Sequence, residues 1–102
     1  MRLRRSRFAR LAEAQLDVFA RDHRDALDEV DRRLDAYRGS DRADAEELYG
    51  DYVDAVDTAA DILAEMRDQY ARTVDDRDAY VRAFTRAAAS RFPELARGLD
   101  GG

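Results

Sequence analysis

The 102-residue sequence has no cysteine, no tryptophan and no lysine, and only one proline and one histidine. Without cysteine there is neither a disulfide framework nor a thiolate metal site, and nothing calls for an oxidising compartment, so the cytoplasm is the expected location. Long apolar runs are missing too. The longest are pieces such as Ala59-Ala60 and Ile62-Leu63-Ala64, far short of the ~20 residues that span a bilayer. Met1 to Arg10 is basic but has no apolar stretch behind it, so it does not read as a secretory signal. No Gly-rich phosphate loop, G-x-S-x-G or H-E-x-x-H pattern occurs, which removes the usual motifs for phosphate binding, acyl transfer and zinc hydrolysis.

What the sequence has in quantity is charge. Charged residues make up 40% of the chain, with 18 arginines, 23 acids and a net charge of −5. The acids divide into 17 aspartates and 6 glutamates. Arginine, alanine, aspartate and glycine all have GC-rich codons, so a high-GC prokaryotic genome accounts for this bias without a mechanism. The charge is also unevenly spread. Arg2, Arg4, Arg5, Arg7 and Arg10 stand in the first ten residues with no acid among them, which reads as a basic, partly frayed arm over residues 1–7. Such an arm suits an anionic surface or nucleic acid; the plainer reading is a solvated segment paired with acids on a neighbouring helix.

Helical periodicity dominates the rest. Phe8, Ala12, Leu16, Phe19, His23, Ala26, Leu27, Val30, Leu34 and Tyr37 advance in steps of three and four with no glycine or proline between them, predicting one long helix. Its outer face carries the acid-first pairs Asp17–Arg21, Asp28–Arg32 and Glu29–Arg33. Gly39, followed by Ser40 and Asp41, should end this helix and cap the next, turning the chain back on itself. A second helix is expected over about 42–73, with Leu34 facing Leu48, Val30 facing Tyr52, His23 facing Ala59, Phe19 facing Leu63 and Leu16 facing Met66. Its apolar residues Leu48, Tyr49, Tyr52, Val53, Ala55, Val56, Ala59, Ala60, Ile62, Leu63, Met66 and Tyr70 span an arc of roughly 160°, wider than the ~100° stripe of a helix that buries one face. That helix should therefore have neighbours on two sides. A third helix is predicted over about 76–91, bringing Tyr80 to Tyr70 and Phe92 to Ala59, and Pro93 should open one further helical turn. The expected fold is all-α: a long antiparallel hairpin, a third helix and a short C-terminal helical turn, forming a three-helix bundle that dimerises. Residues 8–99 make a single domain and residues 100–102 a flexible tail.

Candidate site residues are few. His23 is the one histidine, at a core position facing small residues, with Thr58 near its level on the second helix. The pair reads as a polar core site, and Phe92 is the residue expected to fill the notch beside it. As a ligand His23 would need inward carboxylates or a second imidazole, and the inward positions of both long helices carry no acid. No cofactor or metal is expected. Asp54, Asp61 and Asp68 repeat at seven-residue spacing and read as the wet face of the second helix. A second apolar stripe on the first helix, Leu11, Ala14 and Val18, together with Tyr49 and Val53, marks a dimer interface, where tyrosine is enriched. The function expected from these features is a non-enzymatic interaction or scaffolding module acting through self-association and protein contacts. One alternative is a nucleic-acid or anionic-surface accessory protein using the arginine arm. The other is a small-molecule or metal carrier with a pocket near His23.

Overall fold

The computed structural model describes residues 7–100. They form five α-helices: α1 (Ala9–Asp22), α2 (Arg24–Arg38), α3 (Ala45–Ala71), α4 (Arg77–Arg91) and α5 (Pro93–Asp100). No strand occurs among the described residues, and the all-α expectation holds. No helix among them is long and apolar enough to cross a membrane.

The single long helix expected over residues 8–37 is two helices. The chain breaks at His23, where φ is −121° and ψ is 35°. His23 N–H still donates to the Phe19 carbonyl at 2.9 Å, and its own carbonyl accepts from Leu27 N–H at 3.2 Å. The Asp25 carboxylate takes the Ala26 N–H at 2.9 Å, giving the opening of α2 a side-chain acceptor. Asp25 also sits in the first turn of α2, where an anion complements the helix dipole. Packing explains why the break is needed. α1 lies chiefly on α4, whereas α2 lies along α3, and one straight rod cannot follow both. In place of a continuous hairpin pairing Phe19 with Leu63 and Leu16 with Met66, α1 packs chiefly on α4, and these residues share one core.

The hairpin proper is α2 and α3. Gly39 ends α2 with φ −90°, without the left-handed conformation of a glycine cap, and Ser40 Oγ donates to the Tyr37 carbonyl at 2.6 Å. Asp41 takes the Asp44 N–H at 3.1 Å, so α3 begins at Ala45, three residues later than expected. Arg33 reaches Asp51 at 3.4 Å, and the Tyr37 and Tyr49 rings lie 5.1 Å apart.

Asp76 caps α4, its carboxylate accepting from Ala79 N–H at 3.1 Å. Phe92, held before Pro93, leaves helical angles at φ −132° and ψ 67°. α5 then runs for 8 residues rather than a single turn. It buries Leu95, Ala96 and Leu99 against α3 and α4. Leu99 is thus core, and the chain stays helical through Asp100. At Gly98 a Cβ would stand 3.2 Å from the Ala60 Cβ, so glycine is what lets α5 come this close to α3.

The core lies where α1, α4, α5 and the second half of α3 meet. Leu16, Phe19, Leu63, Tyr80 and Phe84 are its largest fully buried side chains. Tyr80 meets Tyr70 with ring centroids 5.6 Å apart, as the register of α3 and α4 predicts. Phe92 meets Phe19 edge-on at 5.6 Å. By contrast, no residue between Val30 and Ala59 is buried. Most of α2 and the first half of α3 form a two-helix arm projecting from the core. The extents of 52 × 32 × 24 Å and radius of gyration of 15.7 Å reflect that arm, since a chain this long packed as a ball has a radius near ~13 Å.

Candidate interaction surface

On the arm, α2 covers one side of α3 and leaves two others distinct in character. On the first, Ala26, Glu29, Arg33, Asp51, Asp54, Ala55 and Thr58 enclose a notch of about 260 Å³. Three of its four charged side chains, Glu29, Arg33 and Asp51, are already joined. Glu29 takes hydrogen bonds from Arg32 and Arg33, and Arg33 also pairs with Asp51. The hydrogen bond from Arg33, followed by that from Arg32, holds the Glu29 carboxyl below the usual carboxylate range. The Glu29 bond holds the Arg33 guanidinium above its ordinary value.

The second surface is mostly apolar. Tyr49, Tyr52, Val53, Val56 and Ala60 on α3 face Glu94, Arg97 and Gly98 on α5, with Asp57 at the rim, across a groove of about 260 Å³. The groove lies beside the close approach of Gly98 on α5 to Ala60 on α3. Tyr49 is 49% exposed, the large hydrophobic residue left most open to water among the described residues. Its ring packs on Tyr37 on one side and on Tyr52, with centroids 6.0 Å apart, on the other. Asp57, Glu94 and Arg97 make no ion pair among the described residues. Elsewhere charges distant in sequence do meet, Asp17 of α1 with Arg91 of α4, and Arg7 before α1 with Asp75 before α4.

The residues singled out from the sequence fall as follows. His23 is half-buried and stacks on Phe19 at 5.6 Å. Thr58 is exposed and donates its hydroxyl to the Asp54 carbonyl of its own helix at 2.9 Å, so the polar core pair is corrected to a histidine at a helix break and a threonine on the arm surface. No group of three His, Asp or Glu side chains among the described residues is placed to hold a metal ion. On α1, Leu11 packs against the core, Ala14 is exposed and Val18 is half-buried. No α1 residue lines the groove that Tyr49 and Val53 share, so the stripes expected to form one interface lie on separate surfaces. Arg7 pairs with Asp75 at 3.2 Å and lies over the Phe8 ring, while Arg10 is exposed on α1. Arg2, Arg4 and Arg5 lie outside the described residues. The α5 wall of the groove was missed in the sequence, although Leu95 and Leu99, one helical turn apart after Pro93, carried the signal.

By fold the chain belongs to the all-α class, a helical core bearing a projecting two-helix arm. Compared with models of protein families, with curated proteins and with solved structures, it matches none.

Proposed function

We propose that this chain is a non-enzymatic helical interaction module that acts through self-association and protein–protein contacts, in the cytoplasm. One observation carries the reading. The arm has Leu27, Leu34, Tyr37, Leu48, Tyr49, Tyr52, Val53 and Val56 on two helices, yet holds no buried residue between Val30 and Ala59. Two helices without a third layer leave part of their apolar stripe in water, and apolar surface rimmed by polar residues is the mark of a contact surface. Tyrosine suits that place because its body is apolar and its tip is wet. The cytoplasmic assignment rests on the absence of cysteine.

Size-exclusion chromatography with light scattering tests the reading over a concentration series reaching the hundred-micromolar range. The expected mass rises toward twice the 11.6 kDa of one chain. A mass that stays at 11.6 kDa throughout the series removes self-association from the account.

A further inference from the structure

Resting on that reading of self-association, we infer that the groove between α3 and α5 is where a second copy of this chain docks, in a two-fold arrangement with Tyr49 and Val53 as its apolar anchors and the charged rim of each copy set against that of the other. Three features select this occupant. The surface is apolar at its middle, with the exposed aromatic ring of Tyr49 open to water, the disposition of an interface anchor. It carries both signs of charge at its rim, Asp57 and Glu94 against Arg97, and none of these is paired among the described residues. A two-fold axis sets the same patch against itself, so a surface that recognises its own copy must contain both members of each charge pair. Arg97 of each protomer then faces the acids at the rim of the other.

The area agrees with such a contact. The stretch of α3 from Ala45 to Ala60 is ~24 Å long at ~1.5 Å per residue, and with an adjoining helix the face is ~20 Å wide, on the order of 500 Å² in projection for each protomer. That sits at the small end of specific interfaces, about 1,000–1,200 Å² in total. The dimer is therefore weak and concentration-dependent rather than obligate.

Sedimentation equilibrium of the full chain and five variants decides the matter. Tyr49 is exposed, and Val53 is half-buried outside the core cluster, so Tyr49→Asp and Val53→Asp keep the fold, which circular dichroism verifies. Each should raise the dimer dissociation constant at least tenfold. Ala14→Asp, at an exposed position of α1, should leave it unchanged. Arg97→Glu and Glu94→Arg each place like charges at both rim positions and should each weaken association several-fold. An equimolar mixture of those two, in which one chain is acidic and the other basic at the rim, should recover it. A wild-type dimer that survives Tyr49→Asp and Val53→Asp, or yields to Ala14→Asp, overturns the groove as the interface while leaving self-association standing. A wild-type chain that is monomeric at all concentrations overturns both.

Discussion

Replacing Tyr80 by phenylalanine should stabilise this protein. The Tyr80 ring is fully buried and packs on Phe8, Tyr70 and Phe84 with centroids 5.7, 5.6 and 5.9 Å away. Its hydroxyl finds no hydrogen-bond partner among the described residues. A buried polar group without a partner costs about 1–3 kcal/mol. Deleting one oxygen leaves a void of ~15 Å³, which at ~24 cal/mol per Å³ returns only ~0.4 kcal/mol of that. Phenylalanine keeps every ring contact, so the net gain is about 0.6–2.6 kcal/mol, and at 4–8 °C per kcal/mol the midpoint rises by roughly 2–20 °C. Alkaline pH gives an independent readout. Burial first, and then the neighbouring Tyr70, push the Tyr80 hydroxyl from 10.0 up to about 12. Below pH 10 the hydroxyl is protonated in both states and adds no pH dependence. Between pH 10 and 12 the unfolded chain releases the proton while the folded chain keeps it, so stability falls as pH rises, by roughly 2–3 kcal/mol over the window. Tyr80→Phe lacks that loss. Urea denaturation of both proteins at pH 7 and across pH 9–12 measures both effects. A variant less stable than wild type at pH 7, or one whose alkaline slope equals that of wild type, refutes the reasoning, because the hydroxyl would then be bonded or open to water.

Two glycines of one helical chain should respond in opposite directions to alanine. Gly50, inside α3, would place an added methyl group in open space, with nothing within 4 Å, so Gly50→Ala should gain up to about 1 kcal/mol from helix propensity alone. Gly98→Ala should lose about 1 kcal/mol net, because the 3.2 Å approach to Ala60 forces α5 outward by more than propensity returns; combining it with Ala60→Gly should recover most of the loss in thermal melts. Asp76→Ala removes the hydrogen bond to Ala79 N–H and should cost ~1 kcal/mol, read as a lower urea midpoint with an unchanged slope. Each result runs against the packing described if its sign reverses.

Helix type and most boundaries were legible because they are written in local chemistry. Asp76 at a cap, Pro93 at a first helical position and Gly39-Ser40-Asp41 between two periodic runs act within a few residues of themselves. The Tyr70–Tyr80 contact was legible because antiparallel neighbours joined by a short turn have little freedom of register. The break at His23 was not, since the apolar steps of three and four run through it without glycine or proline; the cue that existed was the cluster Asp22-His23-Arg24-Asp25, whose aspartates compete for backbone N–H groups. α5 was underestimated because its extra turn is held by burial of Leu95 and Leu99 against helices distant in sequence. The same limit applies to the candidate surface. Tyr49 and Val53 were visible as residues too many for one stripe, whereas the opposite wall of Glu94, Arg97 and Gly98 follows from how closely α5 approaches Ala60. Thr58 was misplaced because it lies on the notch side of α3, shared with α2, which no residue of α4 or α5 lines.

Because the chain has no cysteine, a single introduced one can report where two copies meet. A spin label on Gly50→Cys, beside Tyr49 and in open space, should give one narrow inter-label distance by pulsed dipolar spectroscopy, and a label on Arg86→Cys, exposed on α4, should give a longer and distinct one. Loss of the Gly50 distance on adding Tyr49→Asp would agree with the arm as the meeting place. No dipolar signal from Gly50 at concentrations where light scattering reports dimers would contradict it.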